Sequence, residues 1–319
     1  MDFRDKSVCL IGGAGLIGSH IADMLADTNV KSVLIIDNLC RGSIENLNAI
    51  KNDNRFHIIE EDIKNKNELE SLLIKYQCDT VFLLAALWLN HCQEYPGEGF
   101  LVNLEGTKNV FEVCASIGVD KVIFSSSASV YGEATENPMN ETHPFNNTTM
   151  YGATKIGGEA LLKAYCSKYN MKGVSLRYFN VYGPRQDYEG AYIAVMMRMI
   201  DNILNNKSPV VFGDGLQSFD FINVKDIARA NLLAAQYDGK YDEFNVCTGI
   251  STFVKTIAEM LLKIMKSDLD IEYKKGDFPV SNRLGGVSKA HSKLGFESNV
   301  KLIEGLTELV EWRKLRWEL

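Results

Sequence analysis

Tyr151 and Lys155 stand four residues apart, which on a helix places both side chains on one face, one turn apart. A phenol alone, with a pKa of ~10, is a poor base at neutral pH. A neighbouring ammonium favours the phenolate, so the pair can take a proton from a substrate alcohol near pH 7. The spacing alone would serve equally as a rim pair on any amphipathic helix. A second group of residues decides otherwise. Gly12, Gly13, Ala14, Gly15, Leu16, Ile17 and Gly18 follow an apolar run, Ser7–Ile11, and precede an amphipathic stretch to Asp27. Strand, glycine turn and helix in that order form the dinucleotide fingerprint. Gly12 would make the tight turn, Gly15 would let backbone approach a pyrophosphate, and Gly18 would let helix pack on strand. The helix start at Leu16 and Ile17 would offer free N–H groups to the phosphates. Asp37, followed by Asn38, lies 19 residues after Gly18, where an acid binds the adenine-ribose hydroxyls. Its charge repels a 2′-phosphate, so NAD is expected rather than NADP.

These groups need a frame that brings them to one edge. Short apolar runs at 32–36, 56–59, 80–84 and 121–124 read as further strands, and 96–117 and 151–169 read as helices. Strands alternating with helices at this spacing mean an α/β fold with a Rossmann-type, doubly wound parallel sheet. Ligands bind such sheets at the carboxyl ends of the strands. The glycine turn, Asp37, Asp62 and Ile63 (suited to an adenine contact), Ala85, Ala86 and a serine run at 125–129 all fall there. A serine of that run can offer its hydroxyl to the same substrate oxygen that faces Tyr151. Residues 1–180 are expected to form the NAD-binding domain. Residues 181–319 read as a smaller α/β substrate lobe, some of whose segments return to the sheet. Within it a helix at 190–205, rich in Ile, Val and Met (Ile193 and Met196 among them), is expected to cover the substrate pocket.

Composition narrows the class. The 319 residues are 46% hydrophobic and 24% charged, with a net charge of −7. No Lys/Arg run offers a nucleic-acid surface. The longest apolar stretch, 81–89, is too short for a membrane span. No signal-peptide pattern is read, and the seven cysteines show no paired spacing, so reduced thiols in a cytoplasmic protein are expected. The five histidines are too scattered to suggest a metal site.

The motifs at 12–18, 37–39, 125–132, 151–155 and 177–185 occur in order and at fitting intervals. Together with 212–215, 220–226, 287–290, 294–296, 305–306 and Trp312, they resemble the extended short-chain dehydrogenase/reductases. The likeness is to the NAD-dependent nucleotide-sugar epimerase/dehydratase family, UDP-glucose 4-epimerase-like, over nearly the whole chain. The resemblance implies Tyr151 as catalytic acid/base and Lys155 as the residue that holds the nicotinamide ribose and lowers the Tyr151 pKa. It places Ser127 at the catalytic Ser/Thr position and Ser125 and Tyr178 beside the nicotinamide. Asn180 would meet the substrate diphosphate, with Arg185 in support. It further implies a nucleotide-diphosphate sugar as substrate and a homodimer formed by a four-helix bundle of the helices at 103–117 and 151–169. The apolar residues of those helices could equally face the sheet.

Two departures stand out. Phe219 precedes Asp220 and Phe221 where relatives often carry an arginine that grips the diphosphate, and phenylalanine has no donor. Arg283, with Lys274 or Lys275, is the candidate substitute. The segment 87–96 is also less polar than usual, and either shapes an unusual sugar site or buries Trp88 as a shield. The expected reaction is transient oxidation at C4 of the sugar, giving epimerisation. A 4,6-dehydratase, a 4-dehydrogenase and a non-catalytic NAD sensor are the alternatives. Ala128 and Ser129, rather than an acid, follow Ser127, which favours the epimerase over the dehydratase.

Overall fold

The computed structural model describes residues 2–188, 194–276 and 282–317. Its strands are β1 (Ser7–Ile11), β2 (Ser32–Asp37), β3 (Phe56–Glu60), β4 (Thr80–Leu83), β5 (Lys121–Ser127), β6 (Lys172–Tyr178), β7 (Asn180–Tyr182), β8 (Val210–Phe212), β9 (Ser218–Asn223), β10 (Tyr241–Val246), β11 (Ser251–Phe253), β12 (Glu272–Lys274) and β13 (Asn282–Arg283). Helices α1 (Leu16–Ala26), α2 (Lys66–Lys75), α3 (Leu89–Glu94), α4 (Pro96–Phe100) and α5 (Thr107–Ile117) belong to the first half. They are followed by α6 (Met150–Lys168), α7 (Val195–Leu204), α8 (Val224–Gln236), α9 (Val254–Met265), α10 (Ser288–Leu294) and α11 (Leu302–Trp317).

Seven strands form one parallel sheet in the order β10-β6-β5-β4-β1-β2-β3. Its central strands are unbroken apolar runs because both faces are covered. Val8, Leu10, Val33, Ile35, Phe82 and Ile123 point to the side packed by α1 and α8. Their neighbours Cys9, Ile11, Leu34, Ile36, Val81, Leu83 and Val122 point to the side packed by α2, α5 and α6. This alternation is the period-two geometry of a strand. β10 comes from the second half of the chain and pairs with β6 at the sheet's edge. The smaller lobe holds β7, β9, β11 and β13 in a second sheet, with α7, α9 and α11 enclosing its own apolar core.

Three stretches differ from the sequence expectation. β5 does not stop at Phe124 but runs through the serines, which pair in register with Leu176, Arg177 and Tyr178 of β6. Polar residues are tolerated there because their hydroxyls find buried partners. The segment read as a loop after Leu87 contains α3. The helix expected over 96–117 is interrupted by a π-helical turn, Leu101–Gly106. The α7 helix begins at Val195, and Ile193, included in the expected helix, lies outside the described residues. Among the described residues no helix is long and apolar enough to cross a membrane.

Candidate active site

The carboxyl edge of the main sheet opens into a cleft of about 680 Å³. It is lined by Gly12, Gly15, Leu16, Ile17, Gly18, Asp37, Asn38, Asp62, Ile63 and Ala85, ten of the cofactor residues expected from sequence. Gly12 has φ of +85°, and a Cβ on it would stand 2.5 Å from the Ala85 nitrogen. A Cβ on Gly18 would stand 2.5 Å from the Gly12 oxygen, so strand and helix meet only because both are glycine. At Gly15 a Cβ would touch only the Gly12 oxygen, at 3.4 Å. Gly15 caps α1 without a side-chain bond, and Ser19 is the first helix amide seen returning to the loop, to the Gly15 oxygen at 3.1 Å. The first-turn N–H groups are therefore left to an anion.

Asp37 holds the turn: Oδ2 accepts from Ala14 N and Oδ1 from Leu39 N, each at 2.9 Å. Burial raises its pKa, and those backbone donors oppose the rise. Asn38 donates to Asp62 Oδ2 at 2.9 Å, orienting that carboxylate beside Ile63. An acid at the strand end, an uncapped helix start and an apolar wall beyond are the donor set a nicotinamide dinucleotide requires, and the residues fit it.

Tyr151 sits in the first turn of α6. Thr149 caps the helix by accepting from Gly152 N at 3.1 Å, and Gln93 of α3 accepts from Met150 N at 2.9 Å. Lys155, one turn on, is 3% exposed and donates to the Ser125 carbonyl at 2.7 Å. Its Nζ lies 5.5 Å from the Tyr151 ring centre and 5.0 Å from that of Phe124. Close approach of α6 to β5 depends on Gly158, where a Cβ would stand 2.4 Å from the Phe124 ring. The electrostatics correct the simple expectation of a depressed phenol. Burial pushes Tyr151 up, to about 12, while a hydrogen bond from Ser127 and the Arg41 guanidinium draw it back. Burial also pushes Lys155 down, to about 8, opposed by Cys92 and Glu159. At both groups desolvation outweighs the neighbouring charges and hydrogen bonds.

A second cavity of about 460 Å³ adjoins the first. Tyr151 and Asn180 line it, with Trp88, Leu89, Phe179, Val181, Tyr182, Val195, Met196 and Phe221. Gln186 and Ala194 border both cavities, so the two meet there, while Tyr151 lines the second. Not every expected residue comes to these walls. Ser125 and Tyr178 are buried behind them: Ser125 Oγ lies 3.0 Å from the Tyr178 hydroxyl, which donates to Asn231 Oδ1 at 2.9 Å. Ser127 Oγ donates to Ser129 Oγ at 3.1 Å. Arg185, expected near the substrate diphosphate, lies instead on the cofactor side, in left-handed backbone (φ 69°), paired with Asp23 of α1 at 2.6 Å. Lys274 and Lys275 are exposed, and Lys274 pairs with Glu272 at 3.3 Å.

Arg283 is placed differently. In the β13–β9 pairing it stands directly opposite Phe219. Its Nε is enclosed without a hydrogen-bond partner among the described residues, and burial pushes the guanidinium pKa down. Arg283 is half-buried, and a guanidinium enclosed in this way without an acid among the described residues suits an anion.

Sequence reasoning passed over three neighbours of the site. Asn103, in the π-helical turn, accepts from Leu87 N at 2.7 Å and donates to Leu87 O at 2.9 Å and Cys92 Sγ at 3.3 Å. It fixes the segment that carries Trp88. Arg41 lies 4.4 Å over the Trp88 ring and pairs with Asp187 at 2.9 Å. Gln186 borders both cavities. Only Gln186 carried a signal, as the residue next to the motif at 177–185.

A sequence profile of the NAD dependent epimerase/dehydratase family matches residues 8–247. A putative UDP-glucose 4-epimerase of Methanocaldococcus jannaschii is 34% identical over 96% of this chain and 98% of its own length. A UDP-N-acetyl-alpha-D-glucosaminuronate decarboxylase of Bacillus cytotoxicus is 31% identical over 96% of this chain and 98% of its own. The solved structure of the UDP-N-acetylglucosamine 4-epimerase from Methanobrevibacter ruminantium M1, in complex with UDP-N-acetylmuramic acid, has a TM-score of 0.92 and 39% identity. It covers 98% of this chain and 99% of that one.

Proposed function

The chain belongs to the NAD-dependent epimerase/dehydratase family, and on that premise we propose that it is a UDP-sugar 4-epimerase working by transient oxidation at C4. The observation that carries the reading is the second cavity. Tyr151 and Asn180 line it, and among the described residues no carboxylate does. Elimination of water from a sugar calls for an added acid, and the positions after Ser127 hold Ala128 and Ser129 instead. Epimerisation needs only a group that takes a proton and gives it back.

The residues of the first cleft would hold NAD, and the chemistry it would supply is reversible hydride transfer at C4 of the sugar. The chain's own residues do the rest. Tyr151 removes the proton of the C4 hydroxyl and restores it after the hydride comes back. Ser127 offers a hydroxyl to the forming carbonyl, a contribution for which losing one donor typically costs roughly 10²–10³ in rate. Lys155 holds positive charge beside the phenol while it is ionised. Phe179, Val181, Met196 and Phe221 give walls without directional bonds, against which a keto sugar can turn over. Asn180 and Arg283 are assigned to the diphosphate. UDP follows from the relatives, which act on or bind UDP-sugars.

The test is incubation with UDP-, GDP-, dTDP- and CDP-sugars, followed by proton NMR with absorbance at the NADH band. Inversion at C4 without lasting NADH is expected. Loss of water to a 4-keto-6-deoxy sugar, or NADH accumulating with a stable keto sugar, would refute the epimerase.

We also assign a homodimer to the face carrying α4, the π-helical turn, α5 and α6. Phe100 is 50% exposed and its neighbour Leu101 48%, adjoining apolar side chains that a second copy of the chain would cover. Light scattering should give twice the chain mass for the parent, and Phe100→Asp should shift it to the monomer. A monomeric parent would remove the assignment.

A further inference from the structure

Beneath the Tyr151–Lys155 pair lies a buried polar network that the proposed reaction does not use. Glu159, one turn beyond Lys155 on α6, is 5% exposed. Its Oε1 accepts from Ser126 Oγ at 2.5 Å and from Arg177 Nε at 2.9 Å, and its Oε2 accepts from Arg177 Nη2 at 2.7 Å. Arg177, on β6, is 3% exposed. Its Nη1 donates to the Tyr131 hydroxyl at 2.9 Å and to the Glu141 carbonyl at 3.0 Å, and the Tyr131 hydroxyl donates to Asn245 Oδ1 at 2.6 Å. One carboxylate is thus bolted to three strands of the main sheet: β5 through Ser126, β6 through Arg177, and β10 through Tyr131 and Asn245.

Ser126 lies between Ser125, whose carbonyl holds the Lys155 ammonium, and Ser127, whose hydroxyl meets Tyr151. A shift of α6 along β5 would break these contacts together. Retaining a fully buried ion pair is costly unless its geometry is satisfied, and here every carboxylate oxygen is. We propose that Glu159, clamped by Arg177 and Ser126, is a positioning residue that fixes α6 against the serine end of β5 and supplies the buried counter-charge of Lys155. This rests on the reading of Tyr151 and Lys155 as the reacting pair.

The groups facing Lys155 can be named. Tyr151 and Glu159 share its helix, and Cys92 faces it from α3. β5 contributes the Ser125 carbonyl and the Phe124 ring, and β6 contributes Arg177 on the far side of Glu159 and the buried Tyr178. Glu159 stands one turn from Lys155 on the same helix face, and with Cys92 it favours the charged ammonium against burial.

The test uses Glu159→Gln combined with Arg177→Met, which removes both buried charges and leaves neither unpaired. Lysine side-chain NMR, with the Lys155 resonance assigned by its loss in Lys155→Arg, reads the titration without substrate or cofactor. In the parent, Lys155 should titrate near pH 8. In the double variant the midpoint should fall by on the order of one pH unit. The alkaline limb of kcat should move down with it while KM stays within twofold. An unchanged midpoint in a folded double variant overturns the proposal, even if the limb of kcat moves.

Ser126→Ala gives a reading that does not depend on the double variant folding. It deletes one bond to Glu159 and keeps both charges. A drop in kcat of about fivefold to tenfold, with KM unchanged and the Lys155 midpoint within a few tenths, is expected from lost alignment. Unchanged kcat overturns the positioning role. Should the parent turn over no nucleotide sugar, the 4-epimerase reading fails while the NMR midpoint still decides whether Glu159 governs Lys155.

Discussion

At the scale of single residues, the site works by placing groups that are unremarkable in water where burial changes them. The Tyr151 phenol, held up to about 12, is protonated at neutral pH and must give up that proton before it can take one from a substrate hydroxyl. Tyr151→Phe removes that proton path and touches none of the groups lining the cofactor cleft. It should therefore lower turnover by more than about 10³, beyond the loss of one positioned donor, with NAD still bound. Stopped-flow or steady-state rates together with cofactor content check this, and near-normal turnover would take Tyr151 out of the chemistry. Arg283 offers a different prediction. Its enclosed Nε and its place opposite Phe219 suit it to the anion that the usual arginine binds in relatives. Charge-assisted hydrogen bonds are worth about 1.5–3 kcal/mol, so Arg283→Met should raise KM for the nucleotide sugar by about tenfold to a hundredfold. kcat should change much less. An unchanged KM would leave the diphosphate to other residues.

At the scale of elements, the π-helical turn between α4 and α5 is the feature to explain. An α-helix running straight through 96–117 satisfies its own backbone and gives nothing to its neighbours. The wider turn brings Asn103 to the backbone of Leu87, where one side chain satisfies both the N–H and the C=O of an irregular segment. Trp88 and Leu89 follow directly and form one wall of the second cavity. Asn103→Ala leaves two part-buried backbone groups without partners, so stability should fall by about 2–3 kcal/mol. KM should rise as the Trp88 wall loosens. Chemical denaturation and steady-state kinetics test the two effects separately, and a variant of parental stability would show that the Leu87 groups find water instead.

At the scale of the whole molecule, the first helix and the smaller lobe meet at a buried titratable group. His20 of α1 is 6% exposed and donates from Nδ1 to the Leu16 carbonyl at 2.8 Å. Burial, reinforced by the nearby Arg185 guanidinium, pushes its pKa down to about 4. The unfolded chain binds this proton near pH 6.5, and the folded chain does not until about pH 4. Above about 6.5 neither state is protonated and the group has no effect. As pH falls through that window the unfolded state is favoured, by about 2 kcal/mol at pH 5. His20→Gln should remove this part of the acid sensitivity, so the stability gap between pH 7.5 and pH 5 should shrink by that amount in urea titrations. An unaltered gap would assign the acid sensitivity to other groups.

The pattern of residues along the chain was enough to read the parallel sheet and the dinucleotide cleft. Those features are local: apolar runs bounded by glycine turns, an acid at a fixed distance, a tyrosine one turn from a lysine. Each depends on neighbours within about 25 residues, so spacing carries the information. The continuation of β5 through its serines was not legible, because serine favours strand only when buried partners such as Glu159 and Tyr178 accept its hydroxyl. Nor was the interrupted helix, whose cause is a bond from Asn103 to Leu87, sixteen residues away. The pairing of Arg185 with Asp23 was not legible for the same reason, since the two lie 162 residues apart. The sign of the Tyr151 shift depends on how completely the folded chain excludes water around it. Residue types and spacing by themselves determined the family and the parallel-sheet fold of this protein. Only the tertiary structure decided the protonation and partners of the groups that perform it, because desolvation and long-range pairing exist only once the chain has folded.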